Sequence, residues 1–396
     1  MFQMFQMKLL EYIMMFVVLF YTLSVLFIFI KYKTRRSKLP VNRTQWEPTV
    51  SIVIPAYNEE RNITKCVQSL LNVNYPKDKL EILVVNDGST DRTAEVVEAF
   101  MDRRVRLLTK KNEGNAAYSK NYGIKHAKGE IIITLDADSW VTPNSIKNIL
   151  KYFDKDVAAV TAAVKVDKSC CNNFIGKLQE VEYLFTLFNR KLFALINGVW
   201  VTPGPLSAFR RKVFDEVGPF DPKNIMEDQE MALRIQSANY RIASCTDAVV
   251  YTVVPQTMKS LYTQRLRWNR GGMKNMWEYK KLVKPSYGDF GMFVMPISIL
   301  SIGLVISVLV SVGFSMLKAL APPVNTDFLL SIEPLHIFSA IVFILTGAWT
   351  FVSLSEMKKR VPFPTVIAYM IIYSYMISFF TIVSIYKELK GESLSW

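Results

Sequence analysis

The stretch Glu130-Ile-Ile-Ile-Thr-Leu-Asp-Ala-Asp138 decides how this chain is read. A short apolar run that stops in two acids one residue apart reads as a buried strand delivering carboxylates to its end. Working outward, Val50-Ser-Ile-Val-Ile54 is a similar run closed by Pro55, Leu80–Val85 is another, ending in Asn86-Asp87-Gly88-Ser89, and Val105–Leu108 is a third. Helical spacing fills the gaps: Glu59 to Leu71, Asp91 to Met101 with Ser89 or Thr90 as its cap, and Gly114 to Ala127. Strands alternating with helices predict an α/β domain, with a mainly parallel sheet covered on both faces. Ligands of such sheets bind at the carboxyl ends of the strands. Tyr57 to Glu59, Asp87 and Asp136 to Asp138 all fall at such ends and should converge on one edge.

The chemistry of these residues has bland and sharp readings. Two carboxylates in a turn, Asp136 and Asp138, can hold Mg²⁺ or Mn²⁺ while phosphate oxygens complete the shell, although a lone pair of this kind is often a solvated turn. Asp87 is either a turn former or an acceptor for a nucleobase or ribose. Glu227-Asp228 opens an amphipathic helix running to about Ala238, where acids complement the helix dipole or one of them acts as a general base. Gln264-Arg-Leu-Arg-Trp268 sits in a basic helix with Arg270, Lys274, Lys280 and Lys281. That pattern suits an anionic lipid surface, or a clamp on a diphosphate with an aromatic face for a sugar.

Composition sets the surroundings. The 396 residues are 51% hydrophobic and 21% charged, with a net charge of +14, which excludes a disordered chain. Four Cys are too few for a disulfide scaffold and show no CxxC pair, and two His are too few for a histidine metal cluster. Mean hydropathy is +0.18, and four runs read as membrane spans: Leu9–Ile30, Phe290–Leu317, Leu335–Leu354 and Phe363–Tyr386, the alternative being that one of the last three is a re-entrant or interfacial segment. The basic flank Lys31, Lys33, Arg35, Arg36 and Lys38 follows the first span, so residues from 31 onward are expected in the cytoplasm and the N-terminus outside. The loop with Pro322, Pro323 and Asp327 reads as external, and Met357 to Arg360 as internal. Alternation then puts the C-terminus outside, against the sign of Lys387 and Lys390. The expected plan is a transmembrane anchor at 1–30, a cytoplasmic domain at 31–285 with Cys66, Cys170, Cys171 and Cys245 as free thiols, and three membrane helices at 286–390, making a multi-pass protein of the cell membrane.

Five motifs occur in order: Pro55-Ala-Tyr-Asn-Glu59, Asn86-Asp87-Gly88, Asp136-x-Asp138, Glu227-Asp228 and Gln264-x-x-Arg267-Trp268. Together they resemble the membrane-embedded processive branch of the family-2 glycosyltransferases, the cellulose, chitin, hyaluronan and poly-N-acetylglucosamine synthases. The resemblance covers about residues 48–285 and the flanking spans. It implies a GT-A-type, Rossmann-like domain beside an α-helical transmembrane region. It also implies an inverting, metal-dependent glycosyltransferase that extends a β-linked polysaccharide. By resemblance, Tyr57, Glu59, Asp87 and Asp136 bind the nucleotide, and Asp136 and Asp138 hold Mg or Mn. Asp228 is the base and Arg267 stabilises the departing diphosphate. Gly204, Pro205, Gln264 and Trp268 meet the acceptor.

Phe174 to Ile196 and Met258 to Lys281 match the family's interface helices. The implied partners are a nucleotide-sugar donor, a glycan acceptor and membrane lipids, with no nucleic acid. UDP-N-acetylglucosamine is favoured, because Gly204-Pro205-Leu206 resembles amino-sugar polymer synthases, and UDP-glucose comes next. Asn115 and Lys120 depart from the family pattern, where Lys and Arg are frequent. Four spans are also too few to wall a polymer channel, which leaves two alternatives open: self-association or a small membrane partner, or a one-step enzyme acting on a lipid phosphate or another membrane acceptor.

Overall fold

The apolar runs form one eight-stranded sheet in the order β3-β2-β1-β4-β7-β6-β8-β5, in a computed structural model that describes residues 2–35, 46–302 and 334–392. After α1 (Phe2–Arg35), the first half runs β1 (Val50–Ala56), α2 (Ile63–Leu71), β2 (Leu80–Asp87), α3 (Thr93–Glu98), β3 (Val105–Lys110), α4 (Ala116–His126) and β4 (Ile131–Thr134). These four strands pair in parallel. Side chains two residues apart share a face, and the strands are buried on both. Ile52, Ile54, Ile82 and Val84 pack with α2 on one side, and Val53, Leu83, Val85 and Ile132 face Ala117 of α4 on the other.

Local chemistry trims the expected ends. Helix α2 starts at Ile63, because the Glu59 carbonyl first accepts the amides of Asn62 and Ile63 in a turn. Neither Ser89 nor Thr90 caps α3. Asp91 Oδ1 accepts the Thr93 amide at 3.0 Å, while Ser89 and Thr90 latch onto Asn58 of the facing loop. Strand β1 continues through Pro55, which pairs only with β2, since pairing to β4 ends at Val53.

The second half departs from a mainly parallel sheet. It comprises β5 (Ser139–Val141), α5 (Ser145–Leu150), β6 (Val157–Val166), α6 (Phe174–Ala194), β7 (Ser207–Arg210), α7 (Arg211–Val217), α8 (Glu227–Ser237) and β8 (Arg241–Thr252). The chain enters β7 at the edge where it left β4, with Ser207 opposite Thr134, so β7 runs antiparallel. Strands β6 and β8 are parallel to each other, and β7 and β5 are antiparallel to their neighbours. The sheet is therefore mixed.

Helices α6 and α9 (Met258–Glu278) form a floor under the sheet's ligand edge, close to the expected 174–196 and 258–281. Three further apolar helices follow: α10 (Phe290–Ile302), α11 (Pro334–Glu356) and α12 (Phe363–Leu389, with one π-helical turn at Tyr369–Tyr373). Met15–Thr34 of α1 and Phe363–Leu389 are long and apolar enough to cross a membrane, whereas the apolar parts of α10 and α11 are shorter. The remainder of the expected Phe290–Leu317 span, the loop with Pro322, Pro323 and Asp327, and Arg36 and Lys38 lie outside the described residues. The four cysteines are free.

Beneath α6, Val25, Ile28 and Tyr32 of α1 pack on Phe188 and Leu192. Trp349 of α11 donates to Asn189 at 3.1 Å, and Lys33 pairs with Glu356. Helix α12 behaves differently. Lys359, just before it, pairs with Glu180 of α6 at 2.7 Å, and Val366 and Met370 pack on Leu184. At mid-length, Tyr373 donates to Glu182 at 2.7 Å. Phe380 meets Tyr262, and Arg270 reaches Glu388 at 2.8 Å. Both ends of α12 thus rest on α6 and α9. Its length and hydropathy meet those of a span, and the face turned away from the domain is apolar: Ile371, Ile372, Tyr375 and Phe379 are exposed.

Candidate active site

The expected residues meet in one cavity of about 820 Å³ between the sheet edge and the two floor helices. All eleven named from the sequence line it: Tyr57, Glu59 and Asp87 at one end, Asp136 and Asp138 in the middle, and Gly204, Pro205, Asp228, Gln264, Arg267 and Trp268 toward the floor.

The strand-end half is built by short loops. Asn58, at φ 56°, turns the chain so that its amide donates to Ser89 Oγ at 3.0 Å, and the Thr90 amide donates to Asn58 Oδ1 at 2.8 Å. This clasp ties the β1 loop to the β2 loop and leaves Tyr57 exposed. Asp87 Oδ1 accepts from Lys110 Nζ at 2.6 Å, and Lys110 also reaches Glu113 at 2.6 Å. Glu59 is held by Asn62 Nδ2 at 2.9 Å. Burial raises its carboxyl, the Asn62 hydrogen bond opposes that, and Asp136 and Asp91 add to it.

The central carboxylates crowd together in a buried setting. Asp138 Oδ1 accepts from Ser139 Oγ at 3.0 Å and Thr252 Oγ1 at 3.3 Å. Burial, partly offset by the Ser139 bond and reinforced by Glu59, pushes Asp138 up to about 6. Burial also pushes Asp136 to about 6, with Lys120 opposing and Asp138 reinforcing the rise. Gly204 makes room for this carboxylate: a Cβ there would lie 2.6 Å from Asp136 Oδ2. Desolvation of an anion favours its protonated form, as does a like charge nearby.

At the floor end, Asp228 occupies the first turn of α8. Its Oδ1 accepts the Gln229 amide at 2.8 Å, and its carbonyl accepts Thr202 Oγ1 at 2.7 Å. Burial raises Asp228 to about 6, with Glu227 adding and Lys120 opposing. Lys120 Nζ donates to Glu227 Oε1 at 2.7 Å, with both side chains buried. Burial alone would lower Lys120, but Glu227, Asp136 and Asp228 together raise it. Helix α9 brings in Gln264, Arg267 and Trp268, and the Arg265 guanidinium lies 4.1 Å from the Trp268 ring centre. Arg265 is anchored away from the cavity centre, on Glu182 at 2.5 Å and Tyr373 at 3.1 Å.

Some residues of the cavity were not singled out from the sequence. Lys120 appeared there only as a departure from a pattern. Its role as counter-ion to three acids depends on α4 meeting α8, which spacing cannot reveal. Asn115, the other departure, caps α4 through the Ala117 amide at 2.8 Å and donates to the Pro222 carbonyl at 2.7 Å. Tyr183, Thr186, Leu187 and Arg190 of α6 line the floor. Their i, i+3, i+4, i+7 spacing was legible as one helix face, but not which face met the cavity.

The arrangement can hold an anionic, divalent-cation-bound ligand at the strand ends and present a carboxylate near neutrality at the floor. Residues 51–218 match the family described as Glycosyl transferase family 2. A probable glycosyltransferase, YdaM, of Bacillus subtilis is 30% identical over 57% of this chain and 55% of its own length. A poly-beta-1,6-N-acetyl-D-glucosamine synthase of Staphylococcus epidermidis is 28% identical over 66% of this chain and 65% of its own. The chain therefore spans somewhat over half to two thirds of the length of these relatives. A mannosyltransferase from Pyrobaculum calidifontis, solved in complex with GDP-Man and Mn2+, aligns over 88% of this chain and 98% of its own with a TM-score of 0.57 at 19% identity, which establishes a shared fold. The family match and the named relatives support a glycosyltransferase.

Proposed function

We propose that this chain is a membrane-bound family-2 glycosyltransferase. In this reading it transfers a sugar from a nucleotide-sugar donor to a glycan acceptor, with inversion at the anomeric carbon. The observation that carries the reading is the single cavity in which strand-end acids, Asp228 and the Gln264-x-x-Arg267-Trp268 helix converge. UDP-N-acetylglucosamine is the favoured donor, on the kinship with the poly-beta-1,6-N-acetyl-D-glucosamine synthase, and UDP-glucose is next.

The chain's own residues divide the work. Tyr57, Glu59 and Asp87 hold the nucleotide. Arg267 lies close enough to Asp136 to offset its charge, and it neutralises the diphosphate as the sugar leaves. Asp228 accepts the proton of the acceptor hydroxyl as that oxygen attacks C1 from the face opposite the diphosphate. Attack from that face converts an α-linked donor into a β-linked product. Trp268, fixed by Arg265, offers its ring to the acceptor sugar.

Asp136 and Asp138 suit a divalent cation, because two buried carboxylates with raised proton affinity carry negative charge that lacks a full counter-ion. Among the described residues no group of three or more His, Cys, Asp or Glu could hold a metal ion by itself. The remaining ligands would thus be diphosphate oxygens and water, as is usual for Mg²⁺. Such an ion supplies charge neutralisation to the leaving group. Asp138 is the stronger candidate ligand, since Asp136 shares the field of Lys120.

The membrane reading rests on α1 and on the apolar helices beneath the floor. A helix of 27 residues is about 40 Å long, yet both ends of α12 rest on α6 and α9. In this reading α12 lies flat in the cytoplasmic interface, with its exposed apolar face in lipid and Lys358, Lys387 and Lys390 at the headgroups. A green fluorescent protein fused after α12 should then fluoresce in washed membranes. An active periplasmic-type phosphatase fused at the same point would instead make α12 a crossing.

This placement removes one wall helix from any polymer channel. It favours the second reading, in which a single chain adds one or few sugars to a membrane acceptor. Incubating the purified chain with a panel of UDP-sugars and sizing the product tests both. Long polymer from a monomer supports a processive synthase, short or single-addition product supports the second reading, and no transfer from any donor rejects the enzyme.

A further inference from the structure

Arg190 stands out among the cationic side chains of the cavity. Lys120 is paired with Glu227, and Arg267, the other arginine of the lining, also has a partner. Arg190 lines the same cavity from α6, one turn beyond Thr186 and Leu187. Its Nε and Nη1 are shielded from solvent and have no hydrogen-bond partner. Donors shielded from solvent and left unpaired are destabilising, so a folded protein carries them where a ligand completes them. The next residue, Asn189, is tied to Trp349 of α11, and Phe188 packs on α1. Arg190 therefore projects into the cavity from a helix whose other face is fixed to the apolar bundle. It shares the cavity with Asp228, whose carboxylate is the largest influence opposing the effect of burial on it.

We propose that Arg190 is an oxyanion-binding residue of the cavity floor, which takes a phosphate group of the ligand through its guanidinium fork. A planar guanidinium with unpaired donors matches two phosphate oxygens, a geometry that a lysine cannot reproduce. The phosphate has two possible sources, the diphosphate of the donor or a phosphate carried by a membrane acceptor. This inference rests on the glycosyltransferase reading and adds to it a residue that none of the five motifs contains. Burial holds Arg190 down to about 10, with Asp228 and Tyr183 opposing the drop. Such an environment is consistent with a cation that awaits its partner.

The test uses the detergent-solubilised full chain and three proteins: wild type, Arg190→Gln and Arg190→Lys. UDP probes the donor source, and farnesyl phosphate, with farnesol as its uncharged control, probes the acceptor source. A lost charge-assisted hydrogen bond weakens binding by roughly 10- to 100-fold. Arg190→Gln should weaken one probe by that factor and leave farnesol unaffected, and Arg190→Lys should recover part of the loss. Loss confined to UDP assigns the donor diphosphate, and loss confined to farnesyl phosphate assigns an acceptor phosphate. Unchanged affinity for both, in a variant that melts like the wild type, overturns the proposal. A shifted pH–rate profile with both affinities intact also overturns it, because Arg190 would then serve only to set the ionisation of Asp228. Should wild type bind neither probe, the nucleotide reading fails and this inference falls with it. Wild type that binds UDP and loses nothing on substitution sinks the Arg190 assignment alone.

Discussion

The two halves of the sheet handle charge in opposite ways. In the parallel half, Asp87 meets Lys110 at the rim, and Lys110 is shared with the half-exposed Glu113. The loops there are clasped by neutral groups, Asn58, Ser89 and Thr90. In the mixed half and at its border, Asp136, Glu227 and Asp228 are gathered around one buried lysine, Lys120, with Asp138 beside Asp136. Three of those four carboxyls are raised to about 6. Asp87 is paired as it stands, whereas the border carries negative charge beyond what its lysine offsets. The difference suggests that the first half recognises a ligand and the second is finished by one.

The largest effect should come from removing what completes the acidic border. Chelation with EDTA should abolish turnover and added Mn²⁺ or Mg²⁺ restore it, and Asp138→Asn should lose that rescue. Full turnover in chelator would mean that Asp136 and Asp138 are only a buried turn. Next is the lysine itself. Lys120→Met leaves Glu227, Asp136 and Asp228 without their common cation and should cost about 3–5 kcal/mol of stability. The matching change in the other half, Lys110→Met, should cost less than half as much, because Glu113 can turn to solvent. Thermal melting of the two variants compares the halves directly, and equal losses would break the contrast.

The pH dependence sharpens it further. Asp136, Asp138 and Asp228 sit near 6 in the folded chain, against about 3.9 for an unfolded Asp. Between these values the native state binds more protons than the unfolded state. Ligand-free stability should therefore rise as pH falls from about 6 to about 4, and decline as pH climbs through 6. A single group shifted this far contributes about 3 kcal/mol, and mutual coupling makes the three together less than additive. Asp228→Asn should flatten the curve. Turnover should move the other way, rising with pH through about 6 as the base loses its proton.

How much was legible in the sequence follows the same division. Strand ends fix Tyr57, Glu59, Asp87, Asp136 and Asp138 within a few residues of an apolar run, so pattern and turn chemistry were enough. The reversal at β7 was not legible, because it depends on where the chain re-enters the sheet after α6. Nor was the pairing of Lys120 with Glu227, 107 residues apart, or the cavity-facing side of α6 that carries Arg190. Helix α12 carries contacts that hydropathy does not reveal. Twenty-seven residues met the length and polarity of a span, but Tyr373, Thr381 and Glu388 bond to the domain through Glu182, Arg265, Asn269 and Arg270. Single polar residues within an apolar helix carry these contacts, and a window average conceals them.

The central claim is that recognition and transfer reside in different halves of one cavity. Titrating UDP into Asp228→Asn, beside a turnover assay on the same preparation, tests it most directly. UDP affinity should stay within about twofold of wild type while turnover falls by roughly 10²- to 10⁴-fold. Near-normal turnover, or a loss of UDP binding as large as the loss of turnover, would contradict the division.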